Sequence, residues 1–153
     1  MPDIDTHAPD FTLPRDGGGE ITLSSLQGGP IVVFFYPRDD TSGCTKEAIA
    51  FTGLKGEFDA AGATVLGISK DTVAKHDKFR DKHGLEVPLL SDADHDVCET
   101  YGVWTEKSMY GKKFFGIERT TFLIDADGRI ARIWRKVKVP GHAEEVLKAV
   151  QAL

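Results

Sequence analysis

The six residues Ile31-Val-Val-Phe-Phe-Tyr36 favour strand and present no polar face, so a fold that contains them must cover both sides. That is the situation of a central strand in an α/β sheet. Pro37 stops the run, a polar turn follows, and from Cys44 onward the chain takes on helical character. A cysteine is thereby placed where a buried strand gives way to the first turn of a helix. Unpaired N–H groups and partial positive charge at such a position favour thiolate over thiol. The competing reading is an inert cysteine in a core. It fits poorly with the small, polar, turn-forming neighbours Thr41, Ser42, Gly43 and Thr45.

The rest of the chain supplies partners for that strand. Phe11-Thr-Leu13 and Glu20-Ile-Thr-Leu23 alternate around Asp16-Gly-Gly-Gly19 and predict a β-hairpin. The glycines need no phosphate to explain them. Ser24–Gly28 reads as a helical turn. One helix is expected from Cys44 to about Ala61, then a strand at Thr64–Ile68. A helix capped by Asp71 or Thr72 should run to His83, burying Val73 and Phe79, with Gly84 as its stop. Val87–Leu90 is expected as a strand, Asp92–Tyr101 as a short helix and Trp104–Gly116 as a long aromatic loop. That loop either lines a pocket or packs on the core. Thr120–Asp125 and Arg129–Arg135 form a hairpin across Ala126-Asp-Gly128. A last helix from His142 presents Val146, Leu147, Val150 and Leu153 on one face. This order predicts an α/β protein on the thioredoxin-like plan with an N-terminal β-hairpin added, as one domain over residues 1–153.

Charge and length exclude several functions. Against 24 acidic residues there are 19 basic ones, a net charge of −5, and Lys107, Lys112 and Lys113 are too spread to track phosphates. No nucleic acid is expected. No apolar run approaches a membrane span, and the start MPDIDTHAPDF lacks the basic-then-apolar order of a secretion signal. Two cysteines make no disulfide framework, so a reducing cytoplasm is the expected setting.

A thiolate nucleophile is served by a cation with several directed donors, which arginine provides. If Thr120–Asp125 runs antiparallel to Ile31–Tyr36, Arg119 arrives beside Cys44; Arg38 is the rival nearer in sequence. Cys98 has two readings, a small buried hydrophobe, which is favoured, or a second, resolving thiol. Asp92, Asp94 and Asp96 resemble the start of a calcium loop, but Val97 stands where glycine is required and Val103 where glutamate is required. His95 and Cys98 have no second pair at zinc spacing. His7, His76, His83 and His142 lie among polar residues and are read as solvated. Neither metal nor cofactor is expected.

Pro37-Arg-Asp-Asp-Thr41-Ser-Gly-Cys44-Thr-Lys-Glu47 resembles the P-x-x-x-T-x-x-C signature of peroxiredoxins. It is closest to the peroxiredoxin Q, or bacterioferritin comigratory protein, subfamily. Ala8-Pro-Asp-Phe11-Thr-Leu13, Leu90-Ser-Asp92, Tyr101-Gly-Val-Trp104, Arg119–Asp125, Trp134-Arg-Lys-Val137 and Gly141-His142 extend the likeness over almost the whole chain. The resemblance implies a thiol peroxidase acting on hydrogen peroxide and organic hydroperoxides through a sulfenic acid at Cys44. Thr41 would serve the thiolate and peroxide, Arg119 the developing negative charge, and Pro37 would shield the sulfur. Gly43 would add a backbone donor, and Glu47 would orient Arg119.

Ser42 replaces the proline usual in that subfamily. The places where its members carry a resolving cysteine hold Ile49 and Arg80 here. A one-cysteine mechanism is therefore expected, with thioredoxin or another thiol as reductant, in a monomer or weak homodimer. Two other uses of Cys44 stay open: thiol–disulfide exchange, disfavoured because Glu47 stands where C-x-x-C needs its second cysteine, and a peroxide sensor or holdase without efficient turnover.

Overall fold

The computed structural model describes residues 2–153. β1 (Thr12–Pro14) and β2 (Glu20–Thr22) pair antiparallel as the expected N-terminal hairpin, followed by a 3-10 turn at Leu23–Leu26. The chain continues through β3 (Ile31–Phe35), α1 (Ser42–Gly53), α2 (Lys55–Ala60), β4 (Thr64–Ser69) and α3 (Val73–His83). It then forms β5 (Leu89–Ser91), α4 (Val97–Thr100), β6 (Trp104–Met109), β7 (Lys112–Ile117), β8 (Thr120–Ile124), β9 (Ile130–Trp134) and α5 (His142–Gln151). β3 lies at the centre of a five-stranded sheet of order β5-β4-β3-β8-β9, parallel to β4 and antiparallel to β8.

Every residue of β3 is buried, and its alternation divides the core in two. Val32, Phe34 and Tyr36 face α1, α2, α3 and α5, meeting Phe51, Phe58, Phe79 and Val146. Ile31, Val33 and Phe35 face the N-terminal hairpin and α4, meeting Phe11, Leu13, Cys98 and Tyr101. This is the mixed α/β architecture with a covered central strand that Ile31–Tyr36 demands.

Several expectations need correction. The single helix after Cys44 is two helices. Gly53, a weak helix former, ends α1, and Leu54 turns the chain so that Phe58 lies beside Phe51, ring centroids 5.9 Å apart. Trp104–Gly116 is a second two-stranded sheet rather than a loop, closed by Tyr110 and Gly111, both at positive φ (54° and 76°) as a type I′ turn requires. α4 is shorter than expected, because Asp92 accepts the N–H groups of Val97 and Cys98 at 3.1 and 2.8 Å and so sets its start. Leu153 lies beyond α5 and is exposed.

Two of the four histidines read as solvated are buried. His76 replaces Val73 on the inner side of α3, and His142 sits at the start of α5 between Phe51 and Trp134. Each has a polar partner that repays its burial: Asp39 for His76 and Thr121 for His142.

Candidate active site at Cys44

Thr41 is extended (φ −88°, ψ 156°), and the helix proper starts at Ser42, with Thr45 N–H donating to the Thr41 carbonyl at 2.8 Å. Cys44 thus sits in the first turn of α1, where N–H groups lack helical partners, and is only 1% exposed. Phe35 pairs with Thr120 in the antiparallel register of β3 and β8. Arg119, one residue before Thr120, therefore arrives at the end of β3 that leads to Cys44. The strand pairing expected from sequence is present, and Arg119, not Arg38, reaches the sulfur.

One guanidinium makes both contacts. Arg119 Nη2 donates to Cys44 Sγ at 3.3 Å, and Nη1 donates to Glu47 Oε1 at 2.7 Å. Burial works against the charge on Arg119, but Glu47 and then Cys44 outweigh it and hold the guanidinium more firmly protonated than usual. Glu47 is in the reverse position. It is 1% exposed, and burial pushes its carboxyl up to about 7 despite the attraction of Arg119. Its Oε2 is the one buried side-chain N or O without a partner among the described residues.

Gly43 matters for space. A Cβ at that position would lie 3.1 Å from Arg119 Nη2, so any side chain there would crowd the guanidinium. Pro37 is half-buried at the end of β3. Thr41 is exposed, and its hydroxyl donates to the Arg38 carbonyl at 3.0 Å. The structure therefore gathers Cys44, Glu47 and Gly43 around Arg119, with Pro37 and Thr41 on the loop leading in.

Two residues near this group are not assigned to it by sequence. Lys107 of β6 donates to the Ile117 carbonyl at 2.5 Å, and its stem lies over Gly116. Burial, then the charge of Arg119, lowers the proton affinity of its amine, while Cys44 and Glu118 act the other way. Because Trp104–Gly116 reads as a loop, nothing in the sequence aims Lys107 at Cys44. His142 Nε2 lies 2.8 Å from Thr121 Oγ1, and burial pushes its imidazole down to about 4, with Arg119 acting the same way and Glu145 and Glu144 opposing.

Cys98 is elsewhere. It belongs to the core cluster on the other face of the sheet from Cys44. Burial and the neighbouring Asp92 drive its thiol far above the ordinary range, so it stays protonated. Asp92 is itself paired with Lys70 at 3.2 Å. Asp39, Asp71 and His76 are the one group of three acidic or imidazole side chains converging within 4.8 Å among the described residues. Each of them is already engaged in the hydrogen bonds described below.

A thiol in this setting can attack an electrophile as thiolate. It faces a fixed cation and lies at a helix N-terminus, and both serve negative charge as it passes from sulfur to a neighbouring oxygen.

Residues 4–133 match the model of the AhpC/TSA family. The chain is 48% identical over 143 residues to Peroxiredoxin Bcp of Xanthomonas campestris, covering 94% of this chain and 89% of that one. A solved structure of the Xanthomonas campestris bacterioferritin comigratory protein, described for its alkyl peroxide reduction activity, superposes with a TM-score of 0.88. It is 47% identical and covers 93% of this chain and 90% of its own. Xylella fastidiosa PrxQ, solved as a cysteine-to-serine mutant, gives a TM-score of 0.94 at 42% identity, covering 99% of this chain and 97% of its own.

Proposed function

Because the chain belongs to the AhpC/TSA family, among its peroxiredoxins of the Bcp and peroxiredoxin Q type, we propose that Cys44 is the thiolate with which it reduces peroxides. It is a thiol-dependent peroxidase. The observation that carries the assignment is the single guanidinium of Arg119 spanning Cys44 Sγ and Glu47 Oε1.

Cys44 attacks the terminal oxygen of ROOH. The S–O bond forms as the O–O bond breaks, sulfur is oxidised to the sulfenic acid, and RO⁻ leaves and takes up a proton to give ROH. Negative charge moves from sulfur to the leaving oxygen during this step. Arg119 serves that charge without reorganising, which favours the transition state over the ground state. Glu47 holds Arg119 in place, and Gly43 leaves it room and adds a backbone N–H. Pro37 keeps water from the sulfur. Thr41 is the hydroxyl on the approach, positioned to accept and orient the peroxide once it leaves the Arg38 carbonyl.

Hydrogen peroxide and organic hydroperoxides are the substrates, a range supported by the alkyl peroxide reduction described for the Xanthomonas relative. An external thiol then attacks the sulfenic sulfur, an S–S bond forms, and water leaves. A second thiol of the reductant releases Cys44. Thioredoxin or another cellular thiol is the reductant, in a cytoplasmic monomer or weak homodimer whose 153 residues act as one unit. This one-cysteine cycle is favoured by the placement of Cys98 across the sheet.

Stopped-flow mixing with peroxide and dithiothreitol, followed by mass spectrometry after one equivalent of peroxide, tests the whole reading. Peroxide consumption should vanish in Cys44→Ser and persist in Cys98→Ser, and no Cys44–Cys98 cross-linked peptide should appear within a monomer. Retained consumption in Cys44→Ser would reject the nucleophile, and an intramolecular cross-link would reject the one-cysteine cycle. Rapid oxidation with no turnover by any thiol would replace the enzyme with a sensor.

A further inference from the structure

We propose that His76 is a positioning residue for peroxide attack, a buried imidazolium that fixes the loop presenting Cys44. The inference rests on Cys44 as the nucleophile and concerns how its loop is held.

The loop joins β3 to α1 through Pro37, Arg38, Asp39, Asp40 and Thr41. It is short, with Asp40 at φ 60°, in the left-handed region that aspartate tolerates better than most side chains, and its surroundings hold it in place. Those surroundings belong mostly to α3. The Asp39 carboxylate accepts from Tyr36 Oη at 2.6 Å through Oδ1 and contacts His76 Nδ1 at 2.6 Å through Oδ2. The Asp39 backbone N–H donates to Asp71 Oδ2 at 2.8 Å. Asp40 is held from the same helix, by Lys82 Nζ at 2.7 Å and His83 Nε2 at 2.9 Å.

The protonation of His76 follows from its partners. Nε2 lies 2.9 Å from the Leu90 carbonyl oxygen, which only accepts, so Nε2 carries a proton. Nδ1 faces Asp39 Oδ2, and an ionised carboxylate only accepts, so Nδ1 carries one as well. A ring with both nitrogens protonated is a cation, and this one is fully buried. Tyr36 just past the end of β3, Asp39 from the loop and Asp71 from the β4–α3 connection are the titratable groups that face it, and Ser69 completes the cluster by donating to Asp71 Oδ2 at 2.6 Å. Burial disfavours the proton, but Asp39, the Leu90 carbonyl and Asp71 together hold it above the ordinary range for histidine.

Helix α3 is itself anchored on the far side. Gly17 N–H donates to Asp77 Oδ1 at 2.8 Å, and Arg80 meets Asp16 at 3.3 Å. The reacting loop is thus tied through His76 to an element that is fixed independently of the site. Small misplacement of a reacting group costs rate steeply, so such a tie acts on attack more than on the intrinsic reactivity of sulfur.

The test compares wild type, His76→Leu and the double variant Asp39→Ala/His76→Leu. Removing His76 alone strands a buried carboxylate, whereas removing both partners removes that penalty and restores folding. In both variants oxidation of Cys44 by peroxide should slow about tenfold or more. Alkylation of Cys44 by iodoacetamide, which needs the thiolate but no peroxide geometry, should change less than about twofold. In wild type, nitrogen NMR of the ring at pH 7 should show both His76 nitrogens protonated. A double variant that folds and oxidises at the wild-type rate, equal losses in oxidation and alkylation, or a neutral ring would each overturn the inference. Failure of Cys44 as nucleophile would show separately, as peroxidase activity surviving in Cys44→Ser.

Discussion

Gly43 sets two residue-level effects against each other. Alanine is worth about 1 kcal/mol over glycine inside a helix, so Gly43→Ala should keep or raise stability. The added methyl group would stand 3.1 Å from Arg119 Nη2 and shift the guanidinium by a few tenths of an ångström against the sulfur. The expected outcome is an unchanged or higher Tm with an attack rate about tenfold lower, read by thermal melting and stopped-flow oxidation. A variant that keeps its rate would remove the spatial role of this glycine. Residues of this kind were partly legible from sequence. Cys44 was placed by the strand-to-helix change, and Arg119 by the antiparallel pairing that brings Thr120 opposite Phe35. His76 and His142 were not, because polar sequence neighbours say nothing about which side of a helix turns inward when a buried partner such as Asp39 or Thr121 awaits.

Among the strands, the β6–β7 hairpin is the pair that the sequence concealed. Its strands lack a clean alternation of apolar and polar residues, because much of it faces solvent: Tyr110 is 97% exposed and Phe115 is 57% exposed. Only its foot is anchored. Trp104 stacks on Phe115 and lies under Lys70 Nζ, Glu118 N–H donates to the Val103 carbonyl at 2.8 Å, and Lys107 ties itself to Ile117. β7 leads through Glu118 directly to Arg119, so the hairpin's foot is also the arginine's mooring. Lys107→Met keeps the apolar stem while removing the ammonium and its bond to Ile117. Amide exchange over residues 104–117 should then accelerate while β3 and β8 stay protected, and oxidation of Cys44 should slow about threefold, the scale of one partly screened charge. Unchanged exchange and rate would show that the hairpin is moored by Trp104 alone. The α/β alternation, by contrast, was readable throughout, since β3, β4, α3 and the β8–β9 hairpin each carry their own period, cap or turn signal.

For the molecule as a whole, the sheet is a divider. It puts Cys44 and Cys98 in separate cores on its two faces, whereas a disulfide needs Cα atoms within about 7 Å of each other. On the Cys44 side it also buries two titratable groups whose effects on stability have opposite sign. The Glu47 carboxyl rises from 4.5 to about 7, so the folded state prefers it protonated. Its contribution is complete below the unfolded value and is lost as pH climbs through 7, a fall of about 3 kcal/mol. The His142 imidazole falls from 6.5 to about 4, so the folded state prefers it neutral. Its contribution is complete above 6.5 and is lost as pH drops through 4, again about 3 kcal/mol. Between about pH 4.5 and 6.5 the two slopes oppose each other, and wild type should show a nearly flat stability profile there. Each single variant should expose the other slope in urea titrations. Glu47→Gln, whose amide oxygen can still accept from Arg119, should lose stability on acidification. His142→Gln, which can still bond Thr121, should gain it. Parallel profiles for all three proteins would show that neither group is held as the structure holds it.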